Sequence, residues 1–470
     1  MQASYLREHR VDLIIIGVLL ALGILTRFIG ISYQSLWIDE GATYYYSQFT
    51  WEEYRATAEP NSFVYYWMQG CMFDLLGRNE FAMRCISAVC SALTVPLVYV
   101  LCQRIVGNRY VSAIAAAITL ISPIMIEYGQ EGRGYAPMVF LFMCQIIVLL
   151  RCLEDPKWRY WIVLAVLSAL NLTMHYMSIV ASFALYSYAI IYYRKEWLQK
   201  DLSHLAQVFI SGILMLLISS PLLKEAIDAY REASSHEHWD WCHIGIQYFY
   251  HLMTDFLFNV EFLLLAPFAL LGAYLLLKRD KEKGILVCWI TGLPILLTTL
   301  ASYSMNMTPR YVLWGAIGMY ILMASSILLL VDDDRKIMRN AAVAGVAVMI
   351  LACVCLPVYY TEVTKADFRG GAYTLEDNVQ EGDTVIYSPN WENMVYGSIS
   401  FYYDPIEHGA TVYGVITDDE FRNCLSMSTG TVYVIILQSY EPYPLLSESA
   451  GCELIFKEYE ITVWKITGPI

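Results

Sequence analysis

Long apolar runs separated by short basic ones leave this chain few folds to adopt. A helix that crosses a bilayer needs about 20 mostly apolar residues. Eleven runs fit that description, at 11–30, 81–102, 110–127, 134–151, 159–174, 176–193, 205–222, 257–277, 284–301, 311–331 and 338–359. Within hydrocarbon a segment must satisfy its own backbone N–H and C=O groups, so each run is expected as a helix. The first run starts at Val11, is too long for a removed signal peptide and lacks a small-residue cleavage signal. It is expected to stay as a membrane helix. With 57% hydrophobic and only 16% charged residues, the 470-residue chain has a membrane composition. Its net charge of −14 argues against a nucleic-acid partner.

The basic residues set an orientation, because loops on the cytoplasmic side carry the excess of lysine and arginine. One set of loops holds Arg104 and Arg109, then Arg151, Lys157 and Arg159, then Arg194, Lys195 and Lys200. Lys278, Arg279, Lys281 and Lys283 follow, and then Arg335, Lys336 and Arg339. The opposite set, leaving out the tail, holds only Arg55, Arg78, Arg84, Arg133, Lys224, Arg231 and Arg310. The N-terminus is therefore expected in the cytoplasm of a multi-pass cell-membrane protein. An odd number of spans then places residues 361–470 outside.

On that map the unusual polar residues gather at one surface. The first outer loop opens with SLWIDEGATYYYS at 35–47, which carries Asp39 and Glu40. The second outer loop holds Glu127, Glu131 and Arg133, His175 and Tyr176 cap the fifth run, and Arg310 and Tyr311 open the tenth. Each alone has a bland explanation, either a solvated turn or an arginine snorkelling at a helix end. Together they suit a lipid-linked phosphate, whose tail lies in the bilayer and whose phosphate sits at headgroup level. Arginine holds phosphate through a planar fork of donors, so Arg133 and Arg310 are candidate clamps. A carboxylate such as Asp39 can take the proton of an attacking hydroxyl while the arginines stabilise the leaving phosphate.

Two further segments bear on function. The loop at 223–256 contains His236, His238, Cys242 and His243, the atom types of a zinc site, although a polar loop with interfacial tryptophans explains them as well. In the tail GDTVIYSP, GTVYVIIL, CELIFKEY and EITVWKI read as short strands, with a helical turn at DDEFRNCL. A small extracytoplasmic α/β domain over 361–470 is expected, after a transmembrane domain over 1–360. Most of the twelve cysteines lie in apolar runs, whereas Cys424 and Cys452 sit in the tail and could pair there.

WIDE at 37–40, YGQEGRGY at 128–135, TMHY at 173–176 and PRY at 309–311 resemble the membrane glycosyltransferases of the GT-C type. The likeness is nearest to family 39, the protein O-mannosyltransferase and aminoarabinose transferase relatives, and covers about residues 10–360. GRNEFAMRCISAV at 77–89 resembles that family's Gly-x-x-Glu-x-x-x-Arg-x-x-Ser entry to the second span. The resemblance implies a mainly α, polytopic helical bundle with extracytoplasmic loop helices and an inverting transfer of sugar from a polyprenyl-phosphate donor. By position it implies Asp39 as catalytic base with Glu40 beside it, and donor phosphate held by Arg133, Arg310 and Tyr311. Glu131, Tyr135, His175, Tyr176, Tyr65 and Tyr66 are the remaining substrate-site candidates. Many relatives carry His-x-Pro-Pro-x-Tyr-Tyr in the first loop, where this chain has Glu59-Pro60-Asn61-Ser62-Phe63-Val64-Tyr65-Tyr66. The acceptor is left open among protein, glycan and lipid, no cofactor is assigned, and a divalent cation is neither required nor excluded. Two alternatives remain: a lipid-linked glycan ligase or polymerase, and a transporter or flippase of lipid-linked sugars. A transporter would carry charges in mid-span and internal repeats, which this chain does not display.

Overall fold

The computed structural model describes residues 10–56, 63–235, 242–258, 262–328, 359–391, 393–437, 446 and 451–467. In chain order, helix α1 (Arg10–Phe28) leads to three loop helices, α2 (Ile38–Ser47), α3 (Trp51–Ala56) and α4 (Phe63–Leu76). The bundle continues with α5 (Glu80–Val106), α6 (Arg109–Ile121), the short α7 (Pro123–Glu127), α8 (Tyr135–Glu154), α9 (Trp158–Leu172) and α10 (Ser178–Tyr192). Then come α11 (Arg194–Leu198), α12 (Ser203–Ser235), α13 (Ile246–Phe256), α14 (Phe262–Arg279), α15 (Lys281–Ala301), a 3-10 turn (Pro309–Val312) and α16 (Trp314–Ser325). Among the described residues five stretches, α1, α5, α8, the Ser203–Pro221 part of α12, and α15, are long and apolar enough to span a membrane. The shorter α6, α9, α10 and α16 are apolar as well. The expected polytopic bundle is thus observed, with all but the last residue of the run at 338–359 outside the described residues.

Local chemistry sets several of these boundaries. Asn79 caps α5 by accepting from the Ala82 amide, and Gly107 ends the helix in the left-handed conformation that glycine adopts without strain. Asn108 then caps α6 through the Tyr110 and Val111 amides. The run expected at 110–127 is broken: Ser122 precedes Pro123 and takes an extended conformation, which a residue before proline favours. The carbonyls left at the end of α6 are not orphaned. Arg27, fully buried on α1, donates to Leu120 O at 2.6 Å and to Thr119 O at 3.0 Å. It also holds Ser91 of α5, whose hydroxyl donates to Met125 O, so one arginine ties three helices to the start of the second loop.

After the bundle, α17 (Phe368–Asn378) leads into β1 (Thr384–Ser388), α18 (Met394–Ser400), β2 (Thr411–Gly414), α19 (Asp418–Met427), β3 (Val432–Leu437), β4 (Cys452–Glu458) and β5 (Ile461–Ile466). Strand order is β2-β1-β3-β5-β4, with β1 parallel to both its neighbours and β5 antiparallel to β3 and β4. β1 and β3 are buried along their whole length, as expected of strands covered on both faces. Phe368, Leu375, Val395 and Ile399 cover one face and reach Ile38 of α2; Phe421, Cys424 and Leu446 cover the other. The four strands and the helix read from the tail are present, while α17, β2 and α18 were not anticipated. Cys424 and Cys452 are both free thiols in this structure.

α18 packs directly on α2. A Cβ at Gly41 would overlap the Ser398 side chain and the Met394 carbonyl, and one at Gly397 would overlap the Gly41 carbonyl. Two glycines therefore let the C-terminal unit lie against the helix that carries Asp39 and Glu40.

Candidate active site

Glu40 is fully buried and its carboxylate is saturated. Arg84 of α5 meets it with a two-pronged contact, Nε to Oε1 at 2.7 Å and Nη2 to Oε2 at 2.8 Å. The Gly132 amide donates to Oε1 at 2.8 Å and the Trp37 amide to Oε2 at 2.8 Å. Lys365, arriving from beyond the bundle, adds a contact to Oε2 at 3.1 Å. Burial alone would raise this carboxyl, but Arg84 and Lys365 hold it well below the usual carboxylate range. The other N–H groups of Arg84 go to the carbonyls of Ile31, Gln34 and Ser35. Glu40 and Arg84 thus pin the first loop, the second loop and the C-terminal unit at one point.

Asp39 faces another way. Its Oδ2 lies 3.3 Å from Arg310 Nη2, and 15% of its side chain stays exposed against none for Glu40. Only Asp39 can therefore meet an incoming group without first breaking a filled network. Burial works against its charge, but Arg310 and Arg133 outweigh it and keep the carboxyl below its usual range. Arg133 Nη1 donates to the Asp39 carbonyl at 3.2 Å and to the Tyr66 hydroxyl at 3.3 Å. Thr43 donates to Gly132 O at 2.9 Å, fastening α2 to the same turn that presents Arg133. Two arginines and an ionised aspartate so share one enclosure.

An aromatic wall completes it. The His175 ring centroid lies 5.2 Å from Tyr135, 4.8 Å from Tyr176 and 5.0 Å from Tyr311. Its Nδ1 accepts from the Met177 amide, which leaves Nε2 as the protonated nitrogen. Burial first, then Arg133 and Arg310, push its pKa down to about 3, so the ring is neutral. Arg310 sits over the faces of Tyr135 and Tyr311 at 5.7 and 5.9 Å, within cation–π range. Glu131 is 5% exposed, and its Oε1 has no hydrogen-bond partner among the described residues. Burial, only partly offset by Lys365 and Arg310, pushes it up to about 7.

The fold brings together Asp39, Glu40, Glu131, Arg133, Tyr135, His175, Tyr176, Arg310 and Tyr311, from four separate segments. Tyr65 and Tyr66 are fully buried beneath the site: Tyr65 bonds Ser87, and Tyr66 bonds Arg133, so neither lines open space. Arg84 and Lys365 were not among the expected site residues. The Gly-x-x-Glu-x-x-x-Arg-x-x-Ser likeness marked Arg84, whereas nothing in the tail marked Lys365. His236 and His238 lie outside the described residues, and His243 stacks on His251 at 3.6 Å. Among the described residues no three histidines, cysteines or carboxylates are grouped to hold a metal.

Residues 59–223 match the family model of the dolichyl-phosphate-mannose-protein mannosyltransferases. No curated protein sequence matches the chain. Among solved structures, ArnT from Cupriavidus metallidurans in the apo state superposes with a TM-score of 0.65 at 14% identity, over 96% of this chain and 98% of that one. The same protein bound to undecaprenyl phosphate matches equally well, over 96% and 99%. The chain shares that polytopic fold, and the family model bears out the resemblance to GT-C type, family 39-like proteins over residues 59–223.

Proposed function

We propose that this chain is an inverting membrane glycosyltransferase, moving a sugar from a polyprenyl-phosphate donor to an acceptor hydroxyl at the extracytoplasmic face. The observation that carries it is the pairing of Asp39 with Arg310, beside Arg133, in an enclosure framed by loops on one side of the bundle. Arg310 neutralises Asp39. A donor phosphate would draw the Arg310 fork to itself, because a bidentate charge-assisted contact with phosphate is stronger than one contact at 3.3 Å. Asp39 is then free to accept a proton. The acceptor oxygen attacks the anomeric carbon as its proton passes to Asp39. The carbon–oxygen bond to phosphate breaks, and the electron pair leaves with the polyprenyl phosphate against Arg310 and Arg133. Attack opposite the leaving group inverts the anomeric centre.

Glu40 does not enter that scheme as a reacting group. It holds the backbone of α2 in place through Arg84 and Gly132, so it is a positioning residue. The neutral aromatic wall of Tyr135, His175, Tyr176 and Tyr311 suits the sugar and prenyl ends of the donor. The matching fold of ArnT, solved with undecaprenyl phosphate, supports a donor of this class. The excess of basic residues in the opposite loops supports an extracytoplasmic site. The test is saturable binding of undecaprenyl phosphate by the purified chain in lipid nanodiscs, read by native mass spectrometry. Binding that weakens in Arg310→Ala is the expected result; no saturable binding by the parent chain would overturn the proposal.

A further inference from the structure

We infer that the carboxyl end of β1, with Tyr45 of α2, forms a subsite for a neutral saccharide portion of the acceptor. This rests on the transfer reaction proposed above and narrows its acceptor class. The sheet is wound in both directions: α18, between β1 and β2, packs on the face toward α2, and α19, between β2 and β3, packs on the opposite face. In such sheets the connections part beyond the carboxyl ends of the central strands, and ligands lodge in the crevice left there. That end here is Ser388, followed by Asn390 and Trp391.

The described residues at this crevice are asparagines, tyrosines and a tryptophan. The Tyr387 hydroxyl shares its one proton between Asn390 Oδ1 at 3.0 Å and Asn393 Oδ1 at 2.9 Å. Asn393 Nδ2 donates across to the Tyr45 hydroxyl at 3.3 Å, linking the C-terminal unit to the helix of Asp39. Asn393 holds a left-handed backbone (φ 60°), a conformation that costs free energy in a residue other than glycine. Gly414 at the end of β2 lets the Tyr387 and Asn390 side chains close down on the strand, since a Cβ there would come within 2.6 Å of the Asn390 side chain. The Trp391 side chain remains 36% exposed.

Amides and phenols offer donors and acceptors together, which is what a sugar hydroxyl needs from a site. The broad faces of tryptophan and tyrosine cover the apolar faces of a sugar ring. Among the described residues no charged group takes part in these hydrogen bonds, so the crevice does not duplicate the phosphate clamp at Arg133 and Arg310. Tyr45 lies six residues beyond Asp39 on the same helix, roughly 9 Å along the axis. A saccharide seated there can extend a hydroxyl toward Asp39 while the donor enters from the membrane side.

The experiment uses the full chain in lipid nanodiscs and saturation-transfer NMR. The probes are methyl glycosides of neutral hexoses and N-acetylhexosamines, with a serine- and threonine-containing hexapeptide as the rival acceptor. Saturation should reach sugar ring protons in the parent, fall several-fold in Trp391→Ala and Asn390→Ala, and persist in Trp391→Phe. Undecaprenyl phosphate binding, measured in parallel, should be unchanged in all three variants, which shows that they are folded. No transfer to any saccharide, transfer undiminished in both alanine variants, or transfer to the peptide alone would overturn the subsite while leaving donor binding intact. Absence of undecaprenyl phosphate binding from the parent would instead overturn the transfer reaction, and the subsite's role as an acceptor site with it.

Discussion

Gly41 and Gly397 meet face to face, the first on the helix of Asp39 and Glu40, the second on the C-terminal helix that covers it. Neither position has room for a Cβ, and the nearest atoms on each side are largely backbone, which cannot rotate away. The C-terminal unit is therefore packed as part of the site's frame. Gly41→Ala and Gly397→Ala should each destabilise the chain, by about 1–3 kcal/mol for an overpacked contact, and lower turnover. Gly292, on a bundle helix with nothing within 4 Å, is the control: Gly292→Ala should leave both unchanged or add slight stability. Thermal unfolding of the three variants in nanodiscs, beside their turnover, checks this.

The Glu40–Arg84 pair makes a second prediction. Removing one partner leaves the other charge buried without compensation, at a cost of about 3–5 kcal/mol. Glu40→Gln and Arg84→Met should each lower the unfolding temperature markedly. Arg84→Lys should not restore it, since lysine cannot replace the fork or reach three carbonyls as well. If Glu40→Gln unfolded like the parent yet lost turnover, Glu40 would be a reacting group.

Much of this site was legible before the fold was known, and for a physical reason. Charged residues beside apolar runs are costly, so Asp39, Arg133, His175 and Arg310 stood out by position alone. The strands of the tail were legible because β-branched residues crowd into runs such as VYVIIL. What stayed hidden was partnership. Lys365 reaches Glu40 across 325 residues, and periodicity records that a face is buried but not what buries it. β2 is four residues long, too short to alternate visibly. At Ser122–Pro123 the proline signal was present, but the apolar run around it was read as one span.

Glu131 carries the pH dependence. Its carboxyl is pushed up to about 7 in the folded chain, mainly by burial, against 4.5 ordinarily, while Arg310, Lys365, Asp39 and Glu40 face it. A raised acid stabilises the folded chain below its unfolded pKa and loses that stability as pH rises through the folded one. Glu131→Gln cannot ionise, so its advantage over the parent should be absent near pH 4.5 and grow by a few degrees of melting temperature toward pH 8. A constant difference across that range would mean that folding leaves the Glu131 pKa unshifted.

The arginines should separate by readout. Arg310→Ala and Arg133→Ala should each weaken undecaprenyl phosphate binding by roughly ten- to a hundredfold, the scale of one or two charge-assisted hydrogen bonds. Lysine at either position should recover only part, because it lacks the fork. Parental affinity in either alanine variant would make that arginine an interfacial anchor.

Asp39 is where the account stands or falls. It is the partly open carboxylate of the pair, held ionised by Arg310 and Arg133 beside the space the donor phosphate would take. Asp39→Asn keeps the shape and removes the base, which contributes about 10²–10⁴-fold in a transfer of this kind. The measurement is the rate at which undecaprenyl phosphate is released from its glycosylated form, together with the affinity for undecaprenyl phosphate itself. A fall in turnover of about that size with affinity nearly unchanged is the predicted result; turnover close to the parent's would contradict it.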